Sequence, residues 1–282
     1  MLLYINFNGS YIYSDEPFIN ADNRGFRYGD GLFETIKIAD NKIHLAQYHF
    51  ERLFSSMQIF QFDVPDFFMA ENLSEQILLL CKKNGHQDSA RARLVIFRGN
   101  GKLFDAENNS PNYIIQTEEL PAKKFSLNEN GFRVDVFVDG KKSCDQFSNI
   151  KSNNFLIYAM AAIHAKKNKL DDCFILNSHD RICESVIANI FCIKDKIIYT
   201  PALSEGCVAG VMRRFLLEKI SEVGFFVEES NLSIENIKEA DEIFLTNSIS
   251  GIRWVKQFGE IEYNNSLTTE IFKEVLNSSD WV

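Results

Sequence analysis

SNIKSNNFL, residues 148–156, sets a single lysine, Lys151, among serines and asparagines directly ahead of an apolar run. Upstream, residues 132–138 alternate apolar and polar positions, which predicts a strand. Downstream, residues 154–167 place Phe155, Leu156, Ala159, Met160 and Ile163 at helical spacing, which predicts a helix. Lys151 therefore falls at a strand-to-helix junction. Polar neighbours suit a lysine that reaches into a wet, hydrogen-bonding site, and taken alone they suit a solvated loop lysine as well.

Further from Lys151, residues 119–130 carry Pro121, two lysines and two asparagines with few apolar residues, and they read as a linker. The expected domains are residues 1–118 and 131–282. In the first, Asn8-Gly9 stands between two β-rich runs and signals a hairpin. Residues 33–38 read as a strand, Asp40-Asn41 as its turn, and residues 45–60 as a helix with Phe50, Leu53, Phe54 and Met57 on one side. Arg52 belongs to that helix. Residues 71–84 form a second helix stopped by Gly85, and residues 93–97 and 113–116 read as strands. In the second domain, strands are expected at 174–176, 190–193, 197–199 and 242–245, with Asp195-Lys196 as a turn. Helices are expected at 210–223, after a Ser233 cap, and at 268–276. Together these elements describe an α+β protein of two domains.

Composition narrows the function classes. The chain has 282 residues, 45% hydrophobic and 24% charged, with a net charge of −9. No domain-wide basic field exists to displace counterions from a nucleic acid. The longest apolar run, residues 155–163, falls far short of the roughly 20 residues that span a bilayer. Six cysteines form no C-x-x-C pair and five histidines show no metal-finger spacing, so no metal is expected. Reduced thiols and the lack of a basic leader with a cleavage signature predict a cytoplasmic protein.

Three chemical groups recur in a telling order: Arg52 in HFERL, Lys151 in SNIKSNNFL and Glu184 in RICESVIANIF. With NRGFRYGDGLFETIKI and AGVMRRF, these segments resemble the class IV aminotransferases, the fold type IV pyridoxal phosphate enzymes. The resemblance implies a two-domain fold like that of D-amino-acid aminotransferase, bound pyridoxal 5′-phosphate, and a homodimer, for which 25 phenylalanines supply apolar surface. It also implies roles. Lys151 would hold the cofactor aldehyde and move protons, and Glu184 would keep the pyridine nitrogen protonated. Arg52 would grip the phosphate with its planar fork, helped by Gly210, Val211 and Met212 at a helix start, by Ser248, and by Asn189 within the ESVIANIF segment. Phe33, Glu34 and Arg98 would lie toward the substrate.

Within the family the segments differ. This chain has RGNGKLFDAE where D-amino-acid transaminases carry an arginine and a histidine two residues apart, and AGVMR where branched-chain transaminases carry PGITR. Leu156 stands where the branched-chain group tends to have tyrosine. RG-x-G and G-[IV]-M-R resemble aminodeoxychorismate lyases, which implies conversion of 4-amino-4-deoxychorismate to 4-aminobenzoate and pyruvate. Branched-chain or D-amino-acid transamination is the alternative, followed by a non-catalytic dimeric binding protein on the same fold.

Overall fold

The computed structural model describes residues 3–104, 108–121 and 124–276. The chain divides into two compact units. Of the described residues, one unit holds those up to Lys124 and takes in Lys151–Asn154; the other holds Phe125–Ile150 and residues 155–276. Glu119 still lies within a strand of the first unit, whereas Asn128 exchanges hydrogen bonds with Trp254 of the second. The stretch read as a linker is therefore divided between the two, and the return of Lys151–Asn154 to the first unit has no precursor in the sequence reading.

The first unit comprises β1 (Tyr4–Phe7), β2 (Ser10–Tyr13), α1 (Arg24–Tyr28), β3 (Gly31–Ala39), β4 (Lys42–Ile43), α2 (Ala46–Ile59), α3 (Ala70–Asn84), β5 (Ser89–Arg98) and β6 (Pro111–Glu119). Its strands form one antiparallel sheet in the order β2-β1-β6-β5-β3-β4. Asn8 and Gly9 take φ of 50° and 88°, the left-handed pair that a tight hairpin needs. β3 pairs with β5 along its whole length, from Gly31 opposite Phe97 to Ala39 opposite Ser89. α2 packs on β3, and α3 packs on β1 and β6. Ile36 and Ile38 of β3, Leu53 and Met57 of α2, and Ile77 and Leu80 of α3 are fully buried. Each such side chain contributes about 2–3 kcal/mol relative to exposure, so the sheet face and the two helices stabilise one another. That packing holds β3 and α2 rigid beneath the residues they present. Short α1 was not anticipated. Asn23 caps it by accepting from Phe26 N–H, and Gly29 ends it at φ 64°.

The second unit comprises β7 (Phe132–Lys142), α4 (Leu156–Lys167), β8 (Asp172–Asn177), β9 (Ile182–Ser185), β10 (Asn189–Lys194), β11 (Ile197–Pro201), α5 (Val211–Glu222), β12 (Val227–Ser230), α6 (Ile234–Glu239), β13 (Glu242–Asn247), β14 (Gly251–Phe258), β15 (Ile261–Glu262) and α7 (Ser266–Ile271). The strands follow the order β12-β11-β10-β13-β14-β7-β8-β9, with β15 on β14. Pairing is parallel at β11/β12, β14/β7 and β7/β8 and antiparallel elsewhere. Alternation splits β8 between two cores. Phe174 joins Ile190, Ile243 and Val255, while Cys173 and Ile175 join Phe137, Tyr158 and Ala161 beneath α4.

α4 does not bury its largest apolar side chains. Leu156, Met160 and Ile163 are 76%, 46% and 60% exposed, whereas Tyr158, Ala161 and Ala165 are buried. LIYAMAAIHA is apolar on every side, so its spacing selects no unique face. The two small alanines allow the helix to lie close to the sheet, and the larger side chains are left outward.

Candidate functional site

In the first unit the lysine segment behaves as an extra strand. Phe33 N–H donates to the Lys151 carbonyl and Asn153 N–H to the Gly31 carbonyl, both at 2.9 Å, and Ser152 bridges Leu32. The two glycines of GDG make room for it. A Cβ on Gly31 would lie 2.5 Å from the Asn153 amide nitrogen and closer still to the Ile96 carbonyl oxygen. One on Gly29 would lie 2.6 Å from the Asn154 side-chain oxygen, at a φ of 64° that itself favours glycine. The Lys151 ammonium sits 4.5 Å from the centre of the Phe33 ring, and the Arg93 guanidinium lies over the same ring at 3.8 Å. Arg93 pairs with no carboxylate among the described residues.

Beside Phe33 on β3, Glu34 points to α2. Arg52 donates from Nε to Glu34 Oε1 at 2.8 Å and from Nη2 to Oε2 at 2.5 Å, and His49 Nδ1 meets Oε2 at 2.6 Å. Burial alone would raise the Glu34 carboxyl, but the Arg52 and His49 charges and hydrogen bonds outweigh it and hold it at about 2. Burial lowers His49 further than the Glu34 contact raises it, with the Arg52 and Lys151 charges adding to the fall. Glu34, expected toward the substrate, thus binds the arginine expected to take phosphate.

Arg98 also differs from the substrate-pocket expectation. Its Nη1 donates to Asp30 at 2.5 Å, its Nε to Asn109 at 3.0 Å, and its Nη2 to the Phe60 and Gln61 carbonyls, while the plane covers Phe62. A guanidinium so fully engaged clamps the β5 end to the GDG loop, and Arg24 binds the same Asp30 at 2.9 Å.

In the second unit Glu184 lies on β9, 3% exposed. Its Oε1 accepts from the Tyr158 hydroxyl at 2.7 Å and pairs with Lys142, while Oε2 accepts from Val208 N–H at 2.9 Å. Burial, then the Glu184 charge, raises the Tyr158 hydroxyl well above its usual value, so it stays a donor. Asn189 opens β10 and donates to the Val208 carbonyl at 2.9 Å. Both peptide groups flanking this loop are thereby held, one by Glu184 and one by Asn189. The Asn189 side chain also presses on Gly210, where no Cβ would fit. Gly210 is the N-cap of α5 and has no side chain to occupy the first N–H groups, those of Val211 and Met212. Ser248 lies in the turn after β13, next to Asn247, whose side chain accepts from Ile249 and Ser250 N–H.

Each unit thus carries its own set: a lysine beside an aromatic ring with two arginines in the first, a buried carboxylate beside an uncapped helix start in the second. The sequence pattern described as amino-transferase class IV matches residues 31–258, most of the chain, from Gly31 at the start of β3 to Phe258 at the end of β14. The chain belongs to the class IV aminotransferases. It is 27% identical over 276 residues to a putative branched-chain-amino-acid aminotransferase of Methanocaldococcus jannaschii, covering 98% of this chain and 94% of that one. It is 28% identical over 232 residues to the aminodeoxychorismate lyase of Vibrio harveyi, covering 82% and 83%. A branched-chain aminotransferase of Thermoproteus uzoniensis, solved with norvaline, superposes with a TM-score of 0.87 at 22% identity over 99% and 97% of the chains. The α+β reading and the enzyme class stand on these findings.

Members of the family use pyridoxal phosphate, which supplies an aldehyde and an electron-withdrawing ring. The residues present fit it: a lysine amine for the aldehyde, a buried carboxylate for a ring cation, and an arginine and free helix N–H groups for a phosphate. Among the described residues no His, Cys, Asp and Glu cluster could hold a metal, and no helix is long and apolar enough to cross a membrane.

Four residues escaped the sequence reading. His49 stands one helical turn before Arg52 within HFERL, a spacing that puts both on one face. Arg93 interrupts an apolar strand with a charge, the pattern of a residue kept for something other than packing. Tyr158 and Lys142 carried no signal, because strand bulging and helix rotation bring them to Glu184.

Proposed function

We propose that the chain binds pyridoxal phosphate through Lys151, with Arg52, Gly210, Val211, Met212 and Ser248 serving the phosphate and Glu184 the ring nitrogen, and that it acts on an amine bearing a carboxylate. The observation that carries the substrate class is the Phe33 ring, which Lys151 and the carboxylate-free Arg93 share. A guanidinium placed there offers a fork to a substrate carboxylate beside the amine that reacts.

The preferred reaction is 4-amino-4-deoxychorismate to 4-aminobenzoate and pyruvate. RGNG, AGVMR and Leu156 favour it, as does the likeness to the Vibrio harveyi lyase. The Lys151 amine would take the proton from the amine-bearing ring carbon as the neighbouring ring C–O bond breaks, and the enolpyruvate that leaves takes up a proton to become pyruvate. Branched-chain transamination is the second reading, favoured by the likeness to the Methanocaldococcus jannaschii protein. A D-amino-acid carboxylate trap is disfavoured because Arg98 has its donors engaged and Asn100 stands where the histidine would be. The test is substrate turnover. The lyase reading expects 4-aminobenzoate and pyruvate with no amino acceptor, and rapid transamination of leucine, isoleucine or valine without 4-aminobenzoate replaces it with the second.

We also infer a homodimer. Leu156, Met160 and Ile163 repeat at helical spacing on the exposed side of α4, and Ile187 is 63% exposed. A dimer by light scattering that dissociates in Met160→Glu supports the face; a monomer at micromolar concentration refutes the assembly.

A further inference from the structure

We propose that Lys142 is a positioning residue for Glu184: its ammonium keeps that carboxyl charged, so that a proton shared with a cofactor ring resides on the ring nitrogen and not on the carboxyl. This rests on the reading that Glu184 serves the ring nitrogen.

The need for such a residue follows from burial. Taking a carboxylate out of water favours its neutral, protonated form unless charges and hydrogen-bond donors oppose the change. A pyridine and a carboxyl compete for one proton, and the ring withdraws electrons best when the proton is its own. Glu184 is 3% exposed. What else touches the carboxyl therefore decides which group keeps the proton.

Three donors touch it among the described residues. Tyr158 O–H reaches Oε1 at 2.7 Å and Val208 N–H reaches Oε2 at 2.9 Å, and both are neutral. The third, the Lys142 ammonium on Oε1, brings a charge. Its side chain is only 11% exposed and its ammonium lies 5.4 Å from the centre of the Tyr158 ring, so little water screens the pair. Lys142 follows directly after the register shift in the β7–β8 ladder between Phe137 and Lys141. The other ionisable groups around the carboxyl add no charge. Burial, as the main cause, raises the Tyr158 hydroxyl and the Cys183 thiol well above their ordinary values and the Cys207 thiol to about 12, so all three stay neutral. With two donors on Oε1, the acceptor capacity left to Glu184 is on Oε2.

A salt bridge that serves stability alone would leave the ring proton where it is, which separates the two roles. The measurement is the ring-nitrogen resonance of protein loaded with pyridoxal phosphate labelled with nitrogen-15, near pH 7. A protonated pyridine nitrogen resonates far upfield of a bare one. The native protein and Lys142→Arg, which keeps the cation, should show the protonated position. Lys142→Gln, which can still donate a hydrogen bond but has no charge, and Lys142→Met should both shift to the bare position. Infrared difference spectra of Lys142→Gln should then show a carboxylic-acid C=O band that the native protein lacks and that a further Glu184→Gln substitution removes. Cofactor affinity should fall by no more than about tenfold in Lys142→Gln, the lower end of what outer-shell partners contribute, because a protonated Glu184 still donates to the ring nitrogen. A protonated ring in Lys142→Gln and Lys142→Met overturns the inference alone, as does a folded Lys142→Gln that no longer takes up the cofactor. A ring that is bare in the native protein, or that stays protonated in Glu184→Gln, overturns the Glu184 reading and the inference with it.

Discussion

The carbonyl oxygen of Lys151 accepts the backbone N–H of Phe33 at 2.9 Å, and the ammonium of the same lysine lies 4.5 Å from the centre of the Phe33 ring. Backbone and side chain of one residue are thus registered against one position of β3. The lysine owes its place to that strand, although Ile150 and Phe155, which flank the Lys151–Asn154 segment, belong to the other unit.

Gly31→Ala should disturb this register. The added methyl meets the backbone carbonyl of Ile96, which cannot yield without moving β5, and the side-chain amide of Asn153, which would have to turn away from its place in the lysine segment. Overpacking of this kind costs about 1–3 kcal/mol. Denaturant unfolding should show that loss together with weaker cofactor binding, and native values for both would show that the segment does not depend on the glycine.

Tyr158→Phe deletes the hydroxyl that donates to Glu184 at 2.7 Å and leaves the ring packing. A buried hydrogen bond to a charged group is worth about 1.5–3 kcal/mol, so stability should fall by that order and turnover with it. Glu184→Gln should retain cofactor and lose most turnover, because a neutral amide no longer holds a ring proton. Steady-state kinetics on cofactor-saturated protein decide both, and near-normal turnover in Glu184→Gln removes that residue from the ring.

Glu34 and Asp172 should give opposite pH dependences. Glu34 is held at about 2 against an ordinary 4.5, so its contribution is complete above pH 4.5 and is lost as pH falls toward 2, about 3 kcal/mol in all. Burial raises Asp172 to about 6 from 3.8, despite donors from Val186, Cys173 and Ser185. A carboxylate with a raised folded value loses stability as pH climbs from 4 to 6, again by about 3 kcal/mol. Urea unfolding across pH should therefore flatten below pH 4.5 in Glu34→Gln and between pH 4 and 6 in Asp172→Asn. Unchanged slopes would remove these assignments.

The local elements were largely legible in the sequence, for reasons that remain local. Asn8-Gly9, Asp40-Asn41 and Asp195-Lys196 take left-handed φ as their turn chemistry demands, and Gly85 ends α3 at φ 76°. Relationships that depend on distant strands were not. The exposed side of α4, the crossing of Lys151–Asn154 into the first unit and the Arg98 clamp on Asp30 all follow from tertiary packing that no window of sequence contains. Glu34 illustrates the limit. FET in GLFETIKI marks a residue of consequence, but only the fold shows that the consequence is for Arg52.

The central claim, that Lys151 is the residue bonded to the cofactor, is tested most directly by borohydride reduction of the pyridoxal phosphate-loaded protein followed by peptide mass spectrometry. The phosphopyridoxyl group should be recovered on Lys151 and should vanish in Lys151→Ala. Recovery instead on Lys142, the lysine paired with Glu184, or on its neighbour Lys141, or no label at all, would contradict the account.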